Sequence, residues 1–239
     1  MKVYRKAVGQ LIWIITQSRP DFSYPVIKAS TRTTGPLVED MLNIIRIINM
    51  IKGSSLAVRI QRLGNIFRDM VLMCYADASY GSLNDKVDSV ESYVIFLVKG
   101  NKCSVVSWKS NKIKNVVKSA MEAETMALVS GITEAIYIRA MLEEIMNAEL
   151  EYQGKMLIGA YTDCQPLESL ILADTQPAEL QSRKNIGWLR EQVVKNGVKI
   201  LGIRTNYQLA DKMTKERSNV SEMFSSALNG QLPDTNLNI

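Results

Sequence analysis

The 239-residue chain predicts an α/β fold, a five-stranded mixed sheet with helices on both faces, preceded by a small helical hairpin. Three observations carry this expectation. Three short apolar runs follow one another between residues 71 and 108, the spacing of consecutive strands. Two further runs, 156–162 and 198–204, alternate with segments of helical period. Strands linked by hairpins and then by helical crossovers leave a sheet that is neither purely parallel nor purely antiparallel.

Taken in order, residues 4–16 read as a helix, broken at Ser18-Arg19-Pro20-Asp21 because proline disfavours helix in the residue before it. Residues 37–51 read as a second helix, ended by Gly53. Such a hairpin is too small to bury a core alone, so it is expected to pack as an attachment. The first strand, 71–76, ends at Asp77; 92–98 and 103–108 follow, with Gly100-Asn101 as the turn between them. A basic loop carries Lys109, Lys112, Lys114 and Lys118, and a long helix spans about 119–146. The fourth strand, 156–162, ends at Asp163, and Pro166 suits the first turn of the next helix. A helix over 179–195 closes at Gly197, the fifth strand is 198–204, and a short helix covers 208–215. The polar tail from Ser218, including Gln231-Leu232-Pro233-Asp234, is expected to be loosely held. The organisation is thus a helical segment (1–70), the sheet domain (71–217) and a tail (218–239).

Composition narrows the chemistry. With no histidine, Ser-His-Asp triads, Cys-His nucleophiles and histidine-ligated zinc are excluded. Cys74, Cys103 and Cys164 form no CxxC pair and read as reduced thiols of an intracellular protein, in the cytoplasm or nucleus. The net charge of +5 suits a phosphate-rich partner without demanding one. The apolar run 11–15 is short and no small-x-small site follows it, so it does not read as a secretory leader. No run approaches the roughly 18 apolar residues of a membrane span, and no membrane partner is expected.

Four carboxylates stand out by position. Asp77 and Asp163 each end an apolar strand, the edge where open α/β sheets bind ligands; each alone also reads as a common strand-ending turn residue. On the long helix, Met121, Leu128, Ile132, Ala135 and Leu142 form one stripe, and Glu124 lies on it. A carboxylate on a packed face is costly unless paired or metal-bound. Glu122, roughly 200° around the helix from Glu124, is expected to face solvent. Arg139 falls near the same stripe, and a Glu124–Arg139 pair is the structural alternative. Asp211 opens the short last helix, where a negative charge complements the helix dipole. Several carboxylates converging from separate elements are a means of holding divalent cations for phosphodiester hydrolysis.

At these residues the chain resembles copia-type retrotransposon Pol polyproteins. Tyr75-Ala76-Asp77-Ala78-Ser79 resembles the family's Y-[AS]-D-A-S strand. Ser107-Trp108-Lys109-Ser110, then Val117-Lys118-Ser119 and Ala123-Glu124-Thr125, resemble its ISWKSKK…VVKSTLAAET. Tyr161-Thr162-Asp163 resembles YTDN, and Leu209-Ala210-Asp211-Lys212-Met213-Thr214-Lys215 resembles LADxLTK. Tyr4-Arg5-Lys6-Ala7-Val8-Gly9-Gln10-Leu11 and Arg19-Pro20-Asp21 resemble the end of the reverse transcriptase region. The resemblance implies an RNase H-like fold and a ribonuclease acting on RNA–DNA hybrids. It implies Mg²⁺ (or Mn²⁺) held by Asp77, Glu124, Asp163 and Asp211, and the reverse transcriptase portion of the same polyprotein as a partner. Ser79, Lys109, Lys112, Lys114 and Lys118 are the expected nucleic-acid contacts; a solvated lysine-rich turn is the alternative for the lysines. Trp108 reads as core rather than a base-stacking platform. The polymerase YxDD motif is absent, so DNA synthesis is not expected. The family's small-Gly pair before the second-strand tyrosine is replaced by Glu91-Ser92, which adds bulk and negative charge near the expected substrate. A non-catalytic hybrid-binding or scaffold module is the competing reading; an integrase-like nuclease is disfavoured by the context of the fourth carboxylate.

Overall fold

The computed structural model describes residues 1–64, 69–83, 88–150, 154–173, 175, 177 and 180–232. Helices α1 (Lys2–Gln17), α2 (Ser23–Ser30) and α3 (Val38–Gly53) precede strands β1 (Val71–Leu83), β2 (Asp88–Lys99) and β3 (Lys102–Lys112). Then follow α4 (Ala120–Leu150), β4 (Leu157–Thr162), α5 (Gln165–Leu172), α6 (Leu180–Asn196), β5 (Val198–Gly202) and α7 (Ser221–Leu228). The strands form one sheet in the order β3-β2-β1-β4-β5. The β3–β2 and β2–β1 pairs are antiparallel, and the β1–β4 and β4–β5 pairs are parallel. This is the mixed sheet expected. Gly197, with φ of 63°, takes the left-handed conformation that ends α6 and turns the chain into β5.

Alternation along β1 divides the core in two. Leu72, Cys74, Ala76 and Ala78 face α4, α5 and α6, where Ala127, Leu128, Ile132, Leu167 and Leu189 complete the layer. Met73 and Tyr75 face the other way, onto Leu209, Met213, Phe224 and Leu228. The expectation of a loosely held tail is therefore corrected for the described part of it. Residues 221–228 form a helix whose Phe224, Ala227 and Leu228 are buried, so they cover an otherwise bare sheet face. The polar texture that suggested looseness belongs to the outer side of α7. Pro233 and Asp234, like Glu179 at the expected start of α6, lie outside the described residues.

At 31 residues α4 is about 46 Å long. Its segment Ala120–Ala148 is long and apolar enough by composition to cross a membrane, which the search for unbroken apolar runs overlooked. Those residues are used in packing: Gly131 lets the helix approach β1 so closely that a Cβ there would lie 2.7 Å from Cys74 Sγ.

Among the described residues, the N-terminal segment has three α-helices where a two-helix hairpin was expected. Pro20, which breaks the first helix, opens a 3₁₀ turn (Pro20–Phe22), and Pro25 falls in the first turn of α2, where a missing N–H costs nothing. Tyr4, Val8, Leu11, Ile15, Val26, Ile44 and Ile47 form a core that includes Leu83 of β1 and Val90 of β2. Trp108 Nε1 donates to Ile15 O at 2.7 Å, joining β3 to α1.

Candidate active site

The parallel strands β1 and β4 stay in register up to Tyr75 opposite Tyr161, whose rings stack with centroids 4.9 Å apart. Beyond that level the strands part: β4 ends at Thr162, while β1 continues to Leu83. Two residues further on each chain stand Asp77 and Asp163, side by side at the mouth of the opening. Asp77 thus sits within a long strand rather than at its end. Gln208 fills the cleft; its Nε2 donates to Ala76 O at 2.9 Å and Tyr161 O at 3.3 Å.

The third carboxylate comes from α4. The helix start is fixed by an exchange of the capping-box type. Ser119 Oγ accepts the Glu122 N–H at 3.1 Å, and Glu122 Oε2 accepts the Lys118 N–H at 2.8 Å. Glu122 is therefore buried at 9% exposure, not turned to solvent as its helical phase suggested. Glu124 points into the parting of the strands, where it accepts the Ala78 N–H. The alternative Glu124–Arg139 pair does not form: Arg139 Nη1 donates to Asn196 O at 2.7 Å, and Nη2 donates to Asn196 Oδ1 at 3.0 Å.

One carboxylate oxygen from each of Asp77, Glu124 and Asp163 lies within 4.8 Å of the other two. Asp77 is fully buried, and both Asp77 Oδ1 and Glu124 Oε2 lack a hydrogen-bond donor. Burial, then the negative charges of Asp77 and Asp163, push the Glu124 carboxyl up to about 9. Burial is also the main cause that pushes Asp77 up to about 7, against the opposing charge of Lys215; Asp211 and Asp163 add to the rise. Convergent carboxylates, one fully and two partly buried, with orphaned oxygens fit a hard divalent cation, which takes oxygen ligands.

Asp211 is not within this triad. It lies on a 3₁₀ turn, Leu209–Met213, rather than an α-helix, and that turn is followed by α7. Its Oδ1 accepts a hydrogen bond from Lys215 Nζ and its Oδ2 accepts one from Ser218 Oγ at 3.2 Å. Lys215 Nζ is also 3.6 Å from Asp77 Oδ1, and Thr214 Oγ1 donates to Asp77 Oδ2. Burial alone would lower the Lys215 pKa, but Asp77, Asp211 and Asp163 together hold it above the usual lysine range. Sequence reasoning missed Gln208, Thr214 and Lys215 as site residues. The last two lie inside the motif that supplied Asp211, just after its 3₁₀ turn, and membership of that motif was the one signal the sequence offered.

The expected nucleic-acid contacts are dispersed. Lys109 and Lys112 stand on β3, not on a loop, because the edge strand runs on to Lys112. Both are exposed, and Lys112 pairs with Asp88 at 2.6 Å. Lys114 and Lys118 are exposed on the segment before α4. Ser79 is partly buried on β1, two residues beyond Asp77, and its carbonyl accepts from Ser82 Oγ at 3.2 Å. Glu91 accepts from Ser130 Oγ at 3.4 Å. Burial raises the Glu91 pKa, while Lys109 opposes the rise. Ser92 points to the opposite face, donating to Ala210 O at 3.0 Å.

A mixed sheet in this strand order, with helices on its faces and an acidic cluster where two central parallel strands part, is an RNase H-like α/β domain. Homologues of the chain are retrovirus-related Pol polyproteins of plant transposons. It is 27% identical over 222 residues to that of transposon RE2 of Arabidopsis thaliana, covering 91% of this chain and 14% of the relative. It is likewise 27% identical over 221 residues to that of transposon TNT 1-94 of Nicotiana tabacum, covering 89% of this chain and 15% of the relative. The chain therefore spans about a seventh of the length of these relatives, and they bear out the retrotransposon resemblance read from the motifs. Among solved structures, RNase H1 of Halobacterium salinarum NRC-1 matches 63% of this chain and 96% of its own. That match has 17% identity and a TM-score of 0.39. No protein-family model matches the chain.

Proposed function

We propose that the chain is a ribonuclease H that hydrolyses the RNA strand of RNA–DNA hybrids, as part of a retrotransposon polyprotein. The observation that carries this reading is the convergence of Asp77, Glu124 and Asp163 within 4.8 Å, with two buried oxygens left without donors. These three residues would hold Mg²⁺ (or Mn²⁺), and Asp211 is the fourth acidic group, whose oxygens a second ion would have to share with Lys215 and Ser218. Bound there, such ions supply Lewis-acid polarisation of a phosphate oxygen and a hydroxide nucleophile at neutral pH.

The chain's own residues do the rest. Thr214 fixes one oxygen of Asp77, and the other, without a hydrogen-bond donor, lies 3.6 Å from the Lys215 ammonium. Gln208 keeps β1 and β4 apart at the level where the carboxylates emerge. Lys109, Lys112, Lys114 and Lys118, with Ser79 beside Asp77, would contact the sugar-phosphate backbones of the hybrid. The reverse transcriptase portion of the polyprotein is the proposed protein partner, and an intracellular site, cytoplasm or nucleus, is where the hybrid and this partner would be met. The second reading, a non-catalytic hybrid-binding module, is favoured by one observation: Asp211 is already engaged by Lys215 and Ser218.

Incubating the purified chain with end-labelled RNA, free and annealed to DNA, separates these readings. The proposal expects cleavage of the annealed RNA in Mg²⁺ and none in chelator. Binding of the hybrid without cleavage at any Mg²⁺ or Mn²⁺ concentration would establish the second reading instead.

A further inference from the structure

Lys215, about a third exposed, is the basic group that touches the acidic site, and nothing in the proposed chemistry yet uses it. It donates to Asp211 Oδ1, and its Nζ lies 3.6 Å from Asp77 Oδ1. Asp77 Oδ1 has no hydrogen-bond donor, and Asp77 Oδ2 is held by Thr214. Asp77 thus stands between two electrostatic environments. On one side are Glu124 and Asp163, whose oxygens converge with its own. An ammonium, whose charge also reaches Asp163 and Glu124, joins it to Asp211. Paired divalent ions in such sites sit about 4 Å apart. A carboxylate shared between two such positions is what Asp77 would be if Lys215 were replaced by an ion.

We infer that Lys215 is a built-in cation that occupies the second cation position, between Asp77 and Asp211, in the nucleic-acid-free protein. The free protein therefore takes up a single divalent ion, at Asp77, Glu124 and Asp163. The inference rests on the proposed metal site and adds what governs its occupancy. An ammonium neutralises neighbouring carboxylates as a compact point charge with rotatable donors. A second divalent ion would have to break its contact with Asp211 and would then repel it. The side chain is 35% exposed, so it can leave the site toward solvent without opening the core. Lys215 is thus a positioning residue: it sets when the second ion can enter.

The test is a Mn²⁺ titration of the full chain without nucleic acid, read by electron paramagnetic resonance and calorimetry. Wild type is expected to bind one ion per chain and Lys215→Met two, the second being lost again when Asp211→Asn is added. Two ions on wild type, or one on Lys215→Met, would overturn the inference while leaving the proposed function in place. No Mn²⁺ uptake by wild type would remove the metal site itself, and both would fail. A measurement on wild type alone guards against a variant that does not fold. Acetylation of Lys215, followed by mass spectrometry, should stay low and unchanged as Mn²⁺ is raised past one equivalent. A severalfold rise with the second equivalent would mean that an ion displaces the lysine.

Discussion

The acidic site has an open half and a closed half, and Asp77 belongs to both. In the open half, Asp77, Glu124 and Asp163 bring carboxylate oxygens within 4.8 Å of one another, and two buried oxygens lack donors. In the closed half, Asp211 has a lysine on one oxygen and a serine hydroxyl on the other. The two halves differ in how their charge is compensated rather than in charge count alone. Carboxylates whose burial outweighs the charge and hydrogen bonds that meet them, as at Asp77 and Glu124, hold protons that a cation can replace, whereas Asp211 has both oxygens engaged by an ammonium and a hydroxyl. The lesson is that a shared motif residue such as Asp211 need not share the state of its neighbours.

The largest effect should come from emptying the open half. Asp77→Asn or Asp163→Asn is expected to lower hybrid cleavage more than about a thousandfold while hybrid affinity survives, since several kcal/mol of charge stabilisation is lost. Asp211→Asn should cost at least about ten times less. Equal losses at Asp77 and Asp211 would erase the distinction between the halves.

Next in size is the response of stability to cations and pH. Saturation at a hundred times Kd adds about 2.7 kcal/mol, which should raise the Tm by roughly 5–10 °C. Without cation, the folded-state values of Asp77 (about 7) and Glu124 (about 9) lie above their unfolded ones. The folded protein then holds more protons than the unfolded chain across that interval, so stability falls as pH rises through it. Thermal melts in chelator from pH 5 to 9 should show the fall, and saturating Mg²⁺ should shrink it. A flat profile in chelator would argue against a pair of carboxyls that burial holds protonated above their ordinary range.

Smaller still is the difference between two neighbouring glutamates. Glu122→Ala removes a helix-start contact and should cost about 1 kcal/mol in a denaturant melt with cleavage retained. Glu124→Gln should abolish cleavage instead. The smallest expected effect concerns Glu91. Its carboxylate is met by Ser130 and the charge of Lys109, so Glu91→Gly should strengthen hybrid binding only a few-fold, and only at low salt. Ser92 should stay, because its hydroxyl holds the turn that carries Asp211. No change in a low-salt titration would mean that Glu91 lies away from the substrate path.

How far the sequence revealed this site depends on the kind of signal each residue leaves. Strands and the long helix were legible because burial forces a hydrophobic period, and Glu124 was legible because it interrupts one. Glu122 was misread for a related reason. Helical phase places a side chain around an axis but does not foresee that a first-turn carboxylate folds back on the backbone. The fate of residues 221–228 was hidden because a short amphipathic helix after a polar linker has no long period to detect. Lys215 left no trace of its own: its place depends on a 3₁₀ turn bringing residues 211 and 215 alongside β1, a tertiary contact across more than a hundred residues.

The central claim is that the open half of this site carries a metal-dependent hybrid nuclease, and one assay addresses it most directly. Wild type and Glu124→Gln are compared on the same labelled RNA–DNA hybrid across a Mg²⁺ series, each with a chelator control and with folding verified by circular dichroism. The account predicts RNA-strand cleavage that rises with Mg²⁺ for wild type and none above background for Glu124→Gln. Equal cleavage by the two proteins, or cleavage that persists in chelator, would contradict it.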